Sequence, residues 1–157
     1  MAEESNILKW RFDVNTFRLI GRELITDRIT AVYELVKNCY DANATTVNVI
    51  FKNVGHNSKD GQIIISDNGI GMSFTDVRDK WMVVGTASKR NELYSPKPFK
   101  RRYVGEKGIG RFAVDKLGRK VQISTKKEGE AKKLVVDIDW YQYEKLSDIK
   151  QMMFFQM

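Results

Sequence analysis

From Thr26 onward the apolar residues fall into short runs of different spacing, and each spacing predicts an element. Ile29, Val32, Tyr33, Val36, Cys39 and Tyr40 recur with the period of a helix. Thr26 or Asp27 can cap it, since a short oxygen side chain accepts from the free N–H groups of the first turn. The helix is expected to end near Asp41. Thr45–Phe51 and Gln62–Ser66 read as strands, and the polar stretch NVGHNSKDG between them reads as a hairpin turn. Ser73 and Asp76 have the spacing of a capping box, which predicts a helix over about Phe74–Val83. Lys120–Thr125 and Lys132–Ile138 read as a second hairpin around Lys126–Glu130. Further helices are expected over Phe17–Leu24, over Gly110–Leu117 (ended by Gly118) and after Asp139. Gly85–Val104 holds both prolines and no clear period, and so reads as a long loop. Loops longer than about 15 residues are usually functional or disordered.

Composition narrows the class. At 157 residues, 42% hydrophobic, the chain has material for one domain with one sizeable core. No apolar run approaches the roughly 20 residues of a membrane helix, and the start, MAEESN, lacks the pattern of a secretory signal. A single cysteine, Cys39, and a single histidine, His56, exclude an internal disulfide and a Cys/His zinc site within one chain. A cytoplasmic domain is the expectation, with no membrane partner. The apolar end, MMFFQM, suggests a chain cut from something longer. The net charge of +7 is concentrated: Lys89–Arg111 holds eight basic and two acidic residues. A charge run alone more often marks a solvated loop, but this one also suits an anionic partner.

Four pieces carry candidate chemistry. Glu34, Asn38 and Asp41 fall within one stripe of about 60° on the first helix. A carboxylate and an amide one turn apart can hold a hydrated magnesium ion beside an attacking water. On its own the triplet also fits a solvated polar face. DNGIGM, Asp67–Met72, follows a strand. There an aspartate can accept from an exocyclic amine such as that of adenine, Gly69 and Gly71 permit close approaches, and Ile70 and Met72 can pack on a flat base. An ordinary Asp-Asn-Gly turn explains the same residues. GEKGIGRFA, Gly105–Ala113, sets three glycines before a helix start, where free N–H groups and the dipole favour phosphate. A glycine hinge is the plainer reading. GTASK, Gly85–Lys89, brings Thr86 and Ser88 to the start of the loop and is weak alone. Together the four are complementary parts of one nucleotide site.

In this order the motifs resemble the GHKL ATPase superfamily of gyrase, ninety-kilodalton heat-shock chaperones, histidine kinases and MutL. ELVKNCYDANAT looks like its first motif, DNGIGM its second, and GTASK with GEKGIGRFA its third. The resemblance covers about Leu19 to Leu117. It implies an α/β Bergerat-type two-layer sandwich: a mixed β-sheet with helices on one face, and ATP held under a lid at about 86–107. One such domain is expected over 1–157, with following domains absent from the chain. Carried onto matching positions, Glu34 looks like the catalytic general base and Asn38 the magnesium ligand. Asp41 matches a position that supports the pocket, and Asp67 the adenine-binding aspartate. Gly69, Gly71 and Met72 match the adenine-side turn, and Thr86 a threonine near it. Lys107, Gly108, Ile109, Gly110, Arg111 and Phe112 match the phosphate-binding end of the lid. The implied cofactors are ATP and Mg2+.

The first motif is similar to that of MutL, and GEKGIGRF to the chaperone and MORC branches. Histidine kinases usually carry asparagine at the position of Glu34, so a carboxylate favours hydrolysis. The implied activity is therefore an ATPase with lid closure and a conformational or dimer-clamp output. Two other readings stand beside it. One is a nucleotide-gated switch with negligible turnover, touching DNA or a client protein through residues 97–102; the other is a histidine-kinase-type phosphotransferase. Cys39, Trp81 and Met82 are expected to fill the core.

Overall fold

The computed structural model describes residues 25–55, 58–83, 93–105 and 113–140. In chain order its elements are helix α1 (Arg28–Asp41), strands β1 (Val47–Lys52) and β2 (Gln62–Asp67), and helix α2 (Phe74–Asp76). α2 continues into a π-helical turn over Val77–Trp81. Helix α3 (Ala113–Leu117) and strands β3 (Lys120–Thr125) and β4 (Leu134–Asp139) follow. The chain is thus α/β.

Asp27 caps α1, its Oδ1 accepting from the Thr30 amide at 2.7 Å. Of the residues whose spacing predicts α1, only Cys39 is fully buried. Ala31 and Cys39 are buried, whereas Ile29 and Tyr33 are 83% and 62% exposed. The reason lies in the partner. α3 meets α1 on the side of Ala31 and Leu35, where Ile25, Ala31 and Ala113 form one apolar cluster with Leu35 and Leu117.

β1 and β2 pair antiparallel, with Val49 opposite Ile65 and Phe51 opposite Ile63. β3 and β4 do the same, with Val121 opposite Ile138 and Ile123 opposite Val136. Strict alternation puts Val121, Ile123, Val136 and Ile138 on one face, where they join Trp81, Val114 and the buried Trp140 in a second cluster, while Val135 faces the other way and is 40% exposed. Trp81 is therefore core, as its sequence suggests, while Met82 is 44% exposed. Every strand pairing among the described residues is antiparallel and lies within a hairpin, in two separate two-stranded sheets. The mixed sheet implied by the resemblance is not formed among them. Strands joined by a short turn close their ladder locally, whereas a parallel pairing needs a long crossover.

Ser73 and Asp76 form the capping box: Ser73 Oγ accepts from the Asp76 amide and Asp76 Oδ2 from the Ser73 amide, both at 3.1 Å. The helix it starts is shorter than its pattern predicts, because the chain widens into the π turn, closed by Met82 N–H donating to Val77 O at 2.8 Å. The part of the long loop within the described residues is also ordered. Ser95 and Arg101 pair through backbone, the Ser95 amide donating to Arg101 O at 2.7 Å. The Tyr103 amide donates to Leu93 O at 3.0 Å, and Tyr94 bridges Arg102. The expected helix over Phe17–Leu24, the tail after Trp140 and His56 lie outside the described residues. Among the described residues no helix is long and apolar enough to cross a membrane.

Candidate functional site

Glu34 and Asn38 stand one turn apart on α1, both partly buried. Lys37 Nζ lies 2.7 Å from Glu34 Oε1, an i,i+3 ion pair that holds the carboxylate's rotamer. No hydrogen bond holds the Asn38 side chain among the described residues, so its amide oxygen keeps its acceptor capacity. Asp41 does not complete an ion site with these two. It is buried, and its two carboxylate oxygens accept from the backbone amides of Val104 (2.9 Å) and Gly105 (3.1 Å). No group of three or more His, Cys, Asp or Glu that could hold a metal occurs among the described residues. A magnesium ion there would rely on the Asn38 oxygen, waters and phosphate. That donor set suits magnesium, which keeps several waters and prefers hard oxygens.

The DNGIGM turn is fastened on two sides. Towards α1, Ile70 N–H donates to Ala42 O at 2.9 Å, and a Cβ on Gly69 would stand 2.5 Å from the same carbonyl oxygen. Asn68 secures the start of β1: its Oδ1 accepts from the amides of Thr45 and Thr46 at 2.8 and 2.9 Å. Towards the second hairpin, Met72 N–H donates to Thr125 Oγ1 at 2.9 Å and Glu128 N–H to Ile70 O at 3.2 Å. Gly71 has φ +66°, and a Cβ there would collide with the Lys126 carbonyl. Its lack of a side chain is thus required by the protein's own backbone. Asp67 lies at the end of β2, exposed, with Oδ1 accepting from the Gly69 amide at 2.8 Å.

Cys39 sits beneath this turn. Burial first, and then the neighbouring Asp67 carboxylate, push its thiol up to about 12. It is core, as its sequence context suggests. At the start of α2, Lys127, Lys80 and Ser73, in that order of effect, hold the Asp76 carboxyl far below the usual carboxylate range.

Of the expected site residues, α1 carries Glu34, Asn38 and Asp41, and the turn bonded to its C-terminal end carries Asp67, Gly69, Gly71 and Met72. Thr86, Lys107, Gly108, Ile109, Gly110, Arg111 and Phe112 lie outside the described residues. A cleft of about 520 Å³ opens between Asn43, Asn68 and Gly69 on one side and Phe99 and Lys126–Glu130 on the other. It holds Gly69 but not Glu34, Asn38 or Asp67. Three residues at the end of α1 escape a reading of the sequence: Asn43, Ser95 and Arg101. The Asn43 side chain binds Ser95 Oγ and Pro96 O, and the Arg101 guanidinium binds Ala44 O. Asn43 stands just past the helix C-cap, Ala42, which is a usable signal for a left-handed residue. Arg101 is hidden within a run of like charges.

Comparison with known proteins gives the family. A family model described as histidine kinase-, DNA gyrase B- and HSP90-like ATPase matches residues 26–156. A Herpetosiphon aurantiacus protein described as the type II restriction enzyme HgiDII is 30% identical over 118 residues, 75% of this chain and 18% of that protein. The Saccharomyces cerevisiae DNA mismatch repair protein PMS1 is 45% identical over 60 residues, 38% of this chain and 6% of its own length. The Rickettsia canadensis chaperone protein HtpG is 28% identical over an alignment of 150 residues, 83% of this chain and 24% of HtpG. The chain thus spans less than a quarter of the length of each of these relatives. The family match runs over both fastened segments and most of the chain: this protein belongs to the histidine kinase-, DNA gyrase B- and HSP90-like ATPases, the GHKL superfamily.

Proposed function

We propose that this chain binds ATP with magnesium and hydrolyses it. The observation that carries the reading is the bond from Ile70 N–H to Ala42 O. It ties the turn bearing Asp67 to the end of the helix bearing Glu34 and Asn38, so a base-binding group and a water-activating group belong to one body. Asp67, exposed and with no bond to a cation among the described residues, suits an exocyclic amine, with Gly69, Gly71 and Met72 beside the base and Thr86 near them. The water oxygen attacks the γ-phosphorus in line, the bond to the ADP oxygen breaks, and Glu34 takes the water's proton. Magnesium, held through Asn38, supplies charge neutralisation at the phosphates when bound. Lys107 and the amides of Gly108, Ile109, Gly110, Arg111 and Phe112 are assigned to the phosphates.

On this reading 1–157 is one ATP-binding domain with a lid at about 86–107, working in the cytoplasm as part of a longer protein. Lid closure drives a dimer clamp or another conformational output. Calorimetric titration with a non-hydrolysable ATP analogue tests the reading, with and without magnesium, on wild type and Asp67→Asn. Magnesium-dependent binding that Asp67→Asn abolishes is expected; no binding to folded wild type overturns it.

A second reading rests on the exposure of Lys97, Lys100 and Arg102. Relatives include proteins named for DNA mismatch repair. These cations suit a phosphate backbone, and the chain then acts as a nucleotide-gated DNA-binding switch. Its DNA affinity should fall steeply with salt; salt-independent binding, or none, leaves them a solvated surface.

A further inference from the structure

We infer that Asn43 and Arg101 are positioning residues that seat the loop over 93–105 on the C-terminal end of α1, and thereby set where the glycine-rich segment beginning at Gly105 leaves the helix. The inference rests on the ATP-binding reading for its consequence but not for its geometry.

The seat has three points. Asn43 has φ +63° and is 5% exposed. A non-glycine residue in that conformation is uncommon, and asparagine tolerates it best. Both ends of its amide are engaged: Nδ2 donates to Pro96 O at 2.8 Å, and Oδ1 accepts from Ser95 Oγ at 2.5 Å. Ser95 Oγ in turn accepts from the Arg101 amide at 2.9 Å, which closes the loop on itself.

Arg101 is the second point. Its guanidinium lies between the rings of Tyr40 and Phe99, 4.7 and 4.6 Å from their centroids. The same group donates to Ala44 O at 2.6 Å and to Tyr40 O at 3.3 Å. α1 carries no basic residue in its own last turn. The negative end of its dipole is therefore met, at Tyr40 O in the last turn, by a cation from 61 residues away in sequence, which also holds Ala44 O just past the helix end. Arg101 is only partly exposed, while its neighbours Lys100 and Arg102 face solvent. The basic run is divided: one arginine is spent on the fold and the others are left outside.

Asp41 is the third point, and it explains why position matters. The two amides it accepts belong to Val104 and Gly105. Gly105 opens GEKGIGRFA, the segment assigned to phosphate. A loop held at Asn43, Arg101 and Asp41 delivers that glycine at one place beside the helix bearing Glu34 and Asn38.

Amide hydrogen exchange on the full chain, without nucleotide, tests the seat. Asn43→Gly keeps the left-handed backbone and deletes both side-chain bonds, and Arg101→Lys keeps the charge and deletes the stacking and the fork. Exchange at Val104 and Gly105 should rise about tenfold or more in each variant while the β1–β2 amides stay as in wild type. Unchanged exchange at these two amides, or an equal rise everywhere, overturns the seat. Titration then tests its consequence. Affinity for the ATP analogue should fall at least about tenfold while affinity for adenosine holds within about twofold, since the base-binding turn is fastened separately. A loosened loop with unchanged ATP affinity overturns the positioning role. Wild type that binds no nucleotide sinks the ATP reading, and the exchange result still decides the seat.

Discussion

Gly71 packs its α-carbon against the backbone of Lys126, so closely that any side chain there would run into the Lys126 carbonyl. The contact joins the turn after β2 to the turn between β3 and β4, and the φ of +66° adds a second demand for glycine. Gly71→Ala should therefore cost about 2–4 kcal/mol, from left-handed strain plus overpacking. Urea unfolding checks it. A loss below about 0.5 kcal/mol would mean that the two turns separate freely.

Asp76 links the same hairpin to α2 through Lys127 Nζ at 2.7 Å, while capping the helix from within. Its carboxyl is held below its unfolded value, so its stabilising contribution is full above about pH 5 and fades as the pH drops through 4 towards the folded value. The lysines beside it are 43% and 65% exposed, which limits the ion pairs to about 1 kcal/mol together. Asp76→Asn should be less stable than wild type at pH 7, and the gap should narrow between about pH 5 and pH 2. Parallel unfolding curves at every pH would refute the assignment.

Cys39 has its thiol pushed up to about 12, first by burial. The native protein at pH 8 should hold roughly a thousandfold less thiolate than an exposed cysteine. Labelling by an aromatic disulfide should be correspondingly slow until urea unfolds the chain. The same shift makes the native state lose stability as pH rises above about 9, where the unfolded thiol ionises and the native one does not. Rapid labelling of the folded protein would contradict the burial.

Glu34 is expected to take a proton from water. Glu34→Gln keeps the shape and loses the base, so kcat should fall at least about a hundredfold with little change in ATP affinity. Single-turnover hydrolysis measured beside binding separates the two. Turnover at the wild-type rate would move the base elsewhere.

Lys97, Lys100 and Arg102 point to solvent, whereas Arg101 holds the end of α1. Replacing the three exposed cations by glutamine should leave melting within about 0.5 kcal/mol of wild type. Arg101→Ala should cost about 2–3 kcal/mol, having removed two charge-assisted bonds and a stacked guanidinium. Thermal melts decide between the two classes. Equal losses would mean that the run acts as one surface.

What the sequence by itself determined is local. Asp27 before a periodic run, Ser73 three residues from Asp76, and β-branched runs around a polar turn each depend on neighbours a few residues apart. They produced α1, the capping box and both hairpins without reference to the rest of the chain. The motif order from Glu34 through DNGIGM to GEKGIGRFA is likewise written in the chain, and it sufficed to assign the superfamily. Tertiary structure alone decided which side of α1 is buried, because that depends on where α3 lands: Ala31 is covered and Ile29 is left out. It also decided what Asp41 does. On the helix it lies in one stripe with Glu34 and Asn38, yet its carboxylate is taken by amides 63 and 64 residues further on. The same holds for Arg101, one charge among many in the sequence, whose role comes from a helix end 61 residues before it. Short-range patterns act through hydrogen bonds to adjacent backbone and are legible residue by residue. Docking contacts depend on the loops that bring distant segments together, and composition and spacing do not carry that information.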